Sequence, residues 1–421
     1  MTGNGGSWRL LVAVCAVTLL CTIGVAMPYP ILAPIFVDGP ADGFTHFAGM
    51  PPEWLLGVAL AANPAGILLG SLVLGPLSDR LGRRRVLMAT LLACALGYLL
   101  TAAALQARLY LLFVAARFAV GLTEGNIAVA RALLADHYAE AMRVKAFAWL
   151  NAFQYGGWLL GPLIGGLLLR WGEAVPFALA AGAMLPCLGL VMIGVPAGAP
   201  PHAKAAAGAE ERHRPMTGST LAPLMHDPAL QRLFALQMAY MCGVTALYEY
   251  APLWCVTEAG IGPAGIAWIT AVQCAAMVAG TALASRLPAL DHPLRTTALA
   301  ALAGAAGLAL LVVVPATPGL VTIVALGVPL AVYNAFMPAW VSSRFARHGQ
   351  GRVMGLLTTI FCFANVLVAL AGGLLSLWSV RGVMALGALC AGTAGWALWH
   401  WARREAAADG AAVATEPALT R

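Results

Sequence analysis

Apolar residues run through this chain in blocks of about twenty, and the short segments between the blocks hold nearly all of its charge. A helix of about 20 apolar residues crosses a hydrocarbon core of about 30 Å. The blocks predict twelve such spans, at residues 8–36, 55–77, 86–105, 110–135, 146–169, 175–195, 234–256, 263–283, 297–314, 320–341, 353–378 and 383–402. The expected fold is therefore an all-α polytopic membrane protein. Between the sixth and seventh blocks lies a stretch of Pro, Ala, Gly and mixed charge, including Glu210-Glu211-Arg212, that buries too little apolar surface to fold alone. The expected organisation is an N-terminal six-helix bundle over 1–195, a cytoplasmic linker over 196–231, a C-terminal six-helix bundle over 232–402 and a cytoplasmic tail over 403–421. The halves echo each other, since Met142-Arg143-Val144 resembles Gly351-Arg352-Val353 and Gly165-Gly166-Leu167-Leu168 resembles Gly372-Gly373-Leu374-Leu375. Two pseudo-symmetric bundles follow, as in transporters built from repeats about a midplane site.

Composition supports the same class: 61% of residues are hydrophobic and only 10% charged, against about 25% charged in ordinary soluble domains. Basic residues stay on the cytoplasmic side during insertion. With both termini inside, only Arg108, Arg170 and Arg381 of the 24 Lys and Arg fall in periplasmic loops, and Arg117 and Arg131 lie within the fourth span. The net charge of +7 thus sets topology, and no nucleic-acid partner is expected. Met1 to Ser7 lacks a basic region, so the first span reads as uncleaved. Nine cysteines, none in a C-x-x-C pair, read as small buried apolar residues, and the eight histidines lie in loops or near helix ends. No metal and no cofactor are expected, and the absence of a G-x-x-x-x-G-K-[ST] loop excludes direct ATP drive.

Charge inside a bilayer costs about 2.5 to 3.5 kcal/mol per group, which singles out Arg117, Glu124, Arg131 and Glu249. The first three are seven residues apart, and at 100° per residue they fall on one stripe of a continuous helix, bordered by Thr123 and Asn126. Such a stripe suits the wall of a polar cavity. Successive members are about 10.5 Å apart along the axis, too far to pair directly. Glu124 is the candidate proton carrier and Arg117 the candidate coupling or substrate residue; a purely structural ion pair and a satisfied kink carbonyl are the plainer readings. Two readings also stand for Glu249: a substrate or proton site, or a side chain reaching into headgroups. Asp136, about 120° off the stripe, faces elsewhere.

Three motifs carry a family resemblance. The loop Gly75-Pro76-Leu77-Ser78-Asp79-Arg80-Leu81-Gly82-Arg83-Arg84-Arg85 is similar to the loop between helices 2 and 3 of the major facilitator superfamily. Arg117-Phe118-Ala119-Val120-Gly121 resembles the R-x-x-x-G motif of its fourth helix in proton-driven members. Gly157-Trp158-Leu159-Leu160-Gly161-Pro162-Leu163-Ile164-Gly165-Gly166 looks like the fifth-helix motif of drug/proton antiporters. Glycines 157, 161 and 165 share one face and admit a close neighbour, while Pro162 removes a hydrogen bond. The first span, with Met27-Pro28-Tyr29-Pro30, resembles that of twelve-span tetracycline and multidrug exporters, without their acid. In this family an acid at Asp136 engages the loop arginines, so the resemblance implies that Asp136 with Arg83, and Asp79 at the start of the eleventh helix, latch an outward-open state.

The resemblance implies a transporter and not an enzyme: a monomer in the bacterial inner membrane exporting an amphipathic small molecule in exchange for protons. One proton crossing about 100 mV supplies about 2.3 kcal/mol, enough for export. An endogenous secreted metabolite such as a siderophore is the alternative cargo, and an uptake symporter or uniporter the alternative mode.

Overall fold

A computed structural model describes residues 4–138, 140–196, 227–286, 293–345 and 350–414. Most of the expected linker, and the last residues of the tail, lie outside the described residues. Among the described residues the secondary structure is helical throughout. By contact density the chain forms two compact units, one of Met1–Ser219, Gly260–Trp268 and Asn365–Leu377, the other of Thr220–Ala259, Ile269–Ala364 and Trp378–Arg421.

The first unit contains α1 (Asn4–Ala26), α2 (Tyr29–Val37), α3 (Pro52–Leu81), α4 (Arg83–Gln106), α5 (Tyr110–Glu124), α6 (Ile127–His137), α7 (Glu140–Leu168) and α8 (Val175–Gly194). The expected first span is thus two helices, because Pro28 lacks the N–H that would continue α1. The expected fourth span is also broken. The ladder tightens where Asn126 N–H bonds the Thr123 carbonyl at 3.2 Å and Ala128 N–H bonds that of Gly125 at 3.2 Å, so the stripe of 117, 124 and 131 does not lie on one continuous helix. The break sits where Gly125 presses on α3, since a Cβ there would lie 2.5 Å from the Ser71 nitrogen.

Glycines 157, 161 and 165 form a close-packed face: 157 and 161 admit α1, and 165 meets Met27 and Ile31 where α1 gives way to α2. A Cβ at 161 would lie 2.7 Å from the Ala26 Cβ and 2.8 Å from the Ile23 carbonyl oxygen. Gly166 faces Ala267 instead. Gly82 turns the chain between α3 and α4 at φ 93°, a conformation that suits glycine alone. There Arg83 bonds Asp136 (Nε–Oδ2 2.6 Å) and Asp79 (2.9 Å).

A folded loop closes the opposite end of α5. Asp42 accepts the backbone N–H groups of Phe44 (2.8 Å) and Thr45 (3.0 Å), and Arg108 bridges Asp42 and Glu173 at 3.2 Å each. Phe44 packs edge-on to Tyr110 and Phe113. Partial burial works to raise the Asp42 carboxyl, but the backbone donors of Thr45 and Phe44, together with the Arg108 charge and the Thr45 hydroxyl, outweigh it and hold the group below its usual range.

The second unit is built from α9 (Pro228–Ala259), α10 (Pro263–Arg286), α11 (Pro293–Val313), α12 (Ala316–Ala325), α13 (Gly327–Arg344), α14 (Gln350–Ser376) and α15 (Val380–Ala414). The starting residues of α10 and the final ones of α14 belong to the first unit. The expected tenth span divides at Leu326. Helix α15 packs most heavily on α11 and α9, and Arg381 on α15 bonds Glu258 on α9 at 2.7 Å.

Eleven helices or helix pairs among the described residues are long and apolar enough to cross a membrane. Twelve were expected, and the one that falls short is the seventh, α9. It is a single helix of 32 residues, but Gln237, Tyr240, Tyr248, Glu249 and Tyr250 dilute its apolar character.

Candidate functional site

The site grows from the crossing of α3 and α5. Gly66 and Gly121 stand face to face, so a Cβ on Gly66 would lie 2.9 Å from the Gly121 Cα. That approach brings Asn63 of α3 against both Arg117 and Glu124 of α5. The Asn63 amide Nδ2 donates to Glu124 Oε2 at 2.8 Å and, at 3.5 Å, to the Arg117 carbonyl. The second carboxylate oxygen, Oε1, accepts a hydrogen bond from the phenol of Tyr98 on α4. Glu124 is wholly buried, as are Asn63 and Tyr98.

Tyr98 was not singled out from the sequence. It is the one tyrosine in an apolar stretch running from Val86 to Leu105, and a tyrosine placed there must find a partner for its hydroxyl. Room for the phenol comes from α1, because a Cβ on Gly24 would collide with the Tyr98 hydroxyl.

Arg117 is 3% exposed, and its Nε and Nη1 have no hydrogen-bond partner among the described residues. It lines a cavity of about 10 Å³ together with Asn63, Tyr29, Pro28, Pro64 and neighbouring apolar side chains. That is space for about one water-sized group. The Oδ1 of Asn63 is likewise buried without a partner. The cavity wall thus carries two unused donors and one unused acceptor.

Arg131, beyond the helix break, turns to another neighbour and donates to Gln154 Oε1 of α7 at 3.2 Å. The expected stripe is therefore split: Arg117 and Glu124 share the buried site, while Arg131 lies half-buried against α7. Asn126, at the break, bonds Thr90 at 3.4 Å and approaches the Cys21 sulfur at 3.9 Å. On α7, Trp158 stacks on Tyr29 with ring centroids 6.0 Å apart.

Glu249 belongs to the second unit. It is 1% exposed and neither carboxylate oxygen has a partner among the described residues, so it is buried in protein and does not reach outward from the helix. On the same helix Gln237 accepts from the Tyr333 hydroxyl at 2.6 Å. No group of three or more metal-ligating side chains occurs among the described residues.

Comparison with known proteins places this geometry in a family. The family model described as Major Facilitator Superfamily matches residues 10–367. A tetracycline resistance protein of class B from Escherichia coli is 34% identical over 167 residues, 39% of each chain. Major facilitator superfamily domain-containing protein 10 from Homo sapiens is 29% identical over 137 residues, 31% of this chain and 30% of that one. The matches to the tetracycline resistance proteins of classes B, C and H span about two fifths of their length. Among solved structures, the human organic anion transporter MFSD10 (TETRAN) superposes with a TM-score of 0.64 at 19% identity, covering 93% of this chain and 99% of that one. A D-xylose-proton symporter gives 0.68 at 16% identity, covering 93% and 97%.

Proposed function

The chain belongs to the Major Facilitator Superfamily, and from that premise we propose that it is a proton-coupled exporter of an amphipathic small molecule in a bacterial inner membrane. Its halves then form two six-helix bundles, 1–195 and 232–402, joined by the linker 196–231, with both termini cytoplasmic and α9 as the twelfth crossing.

One observation carries this reading. A wholly buried carboxylate, Glu124, hangs between Tyr98 and Asn63, and Arg117, seven residues earlier on α5, lines a cavity with its Nε and Nη1 unpartnered among the described residues. A carboxylate with no counter-ion at bonding distance is a group whose charge changes with its surroundings, the property a proton carrier needs. Arg117 offers donors to cargo. The tetracycline resistance proteins supply the exporting kind, and the glycine face of α7 supports it. Arg83, bonded to Asp79 and Asp136, serves as the cytoplasmic latch. Arg131, Asn126 and Glu249 complete the set of polar groups along the transport path.

The test uses everted membrane vesicles acidified inside, offered tetracycline and a panel of amphipathic drugs. Uptake of at least one compound with loss of the internal proton excess is expected, and Glu124→Gln should reduce it at least tenfold. Undiminished proton-driven uptake by Glu124→Gln would remove Glu124 from the mechanism.

A further inference from the structure

Resting on the proposed role of Glu124, we infer that Asn63 is a positioning residue that converts the protonation state of Glu124 into the hydrogen-bonding character of the cavity, by turning its amide over. Its two ends face two different places. Nδ2 donates to Glu124 Oε2 at 2.8 Å, while Oδ1 is buried without a partner on a side chain that lines the cavity.

The logic follows from donor and acceptor counts. An ionised carboxylate only accepts, whereas a protonated one also donates. On Glu124 the Oε1 oxygen is already taken by the Tyr98 phenol, and Gly24 leaves that phenol its place. A proton on Oε1 would turn the Tyr98 hydroxyl into an acceptor and strand its buried hydrogen, so the arriving proton settles on Oε2, the oxygen that faces Asn63. An N–H donor would then point at an O–H donor. The amide relieves this by rotating about 180° around its last torsion, which exchanges oxygen and nitrogen in nearly the same volume. Oδ1 now accepts from the protonated Oε2, while Nδ2 gives up its longer 3.5 Å contact with the Arg117 carbonyl and faces the cavity. The proton comes from water and stays on Glu124; no bond in Asn63 breaks.

The cavity changes in kind. With Glu124 ionised Asn63 presents an acceptor, Oδ1, beside the Nε and Nη1 donors of Arg117 that have no partner among the described residues. With Glu124 protonated Asn63 presents a donor there instead. In a cavity of about 10 Å³, the ionised state fits one small hydrogen-bond donor of a solute, such as a hydroxyl or the tip of an ammonium. The protonated state rejects that donor. Proton and cargo then exclude each other without touching, which is the condition exchange requires. The groups facing Glu124 do not supply this exclusion. Tyr98 and Cys94 come from α4 and Arg117 from α5 itself, while α3 presents the amide of Asn63; Cys21 of α1 meets Cys94.

Infrared difference spectroscopy of the purified protein, stepped in pH and with isotope-labelled asparagine, tests the switch without any cargo. The chain has six asparagines. The Asn63 carbonyl band is the one missing in Asn63→Ser, and the Glu124 protonated-carboxyl band the one missing in Glu124→Gln. As the carboxyl band grows on acidification, the Asn63 carbonyl band should shift to lower frequency with the same midpoint, and in Glu124→Gln it should not respond to pH. A carbonyl band that stays fixed while the carboxyl band grows overturns the switch and leaves Glu124 as proton carrier intact. A carboxyl band that never grows between pH 5 and 9 overturns both. Should Asn63→Ser fail to fold, Asn63→Gln identifies the band by its change of frequency.

Discussion

At the scale of single residues, the absence of one side chain matters as much as the presence of others. Gly24 of α1 is the space into which the Tyr98 hydroxyl projects on its way to Glu124. Adding one methyl there displaces the phenol and leaves Oε1 of a buried carboxylate unsatisfied, at a cost of about 1–3 kcal/mol. Gly24→Ala should therefore cut proton-driven transport about tenfold while Tyr98→Phe cuts it to a similar degree, and the double variant should be no worse than either. Transport rates in vesicles from the four strains form the cycle that checks it; additive losses would show that Gly24 acts elsewhere. Arg117 and Glu124 were legible from sequence because charge is rare in an apolar span. Tyr98 and Gly24 were not: a lone tyrosine and a lone glycine are ordinary in such helices, and only their meeting across α1, α4 and α5 gives them meaning.

At the scale of elements, the glycine face of α7 shows why a sequence motif can name a contact but not its partner. Spacing placed 157, 161 and 165 on one face; the structure supplies α1 as the neighbour of 157 and 161 and the junction of α1 with α2 as that of 165. The fourth span shows the reverse. Continuous helical geometry put Arg131 in line with Arg117 and Glu124, and the tight turn at Gly125 and Asn126, where α5 meets α3, takes it out. Nothing in the local sequence forbids a helix there; the break belongs to packing. Gly161→Leu should destabilise the protein by about 3 kcal/mol or more, because overpacking typically costs about 1–3 kcal/mol and here the obstacle includes the Ile23 carbonyl. Gly182→Leu, where a Cβ meets nothing within 4 Å, should be neutral. Thermal unfolding midpoints of the two variants in detergent decide it, and equal midpoints would mean that α1 yields freely.

At the scale of the whole molecule, the membrane-spanning class and most of its helices were legible because hydrocarbon admits few solutions for a buried backbone. The seventh expected span is the instructive departure. Helix α9 is too polar to count among the apolar helices, yet it is long, and its largest neighbour is the final helix, α15. During synthesis α9 emerges from the ribosome long before α15 exists. A carboxylate about two thirds of the way along an isolated helix raises the cost of lateral release into lipid by up to about 3 kcal/mol, so in the growing chain α9 has reason to wait at the insertion machinery. A chain ended after Ser376 should then leave α9 outside the bilayer and open to protease, and Glu249→Leu in that shortened chain should restore its protection. On that outcome the placement of one acid would set the order of assembly, with α9 coming to rest only once α15 packs against it.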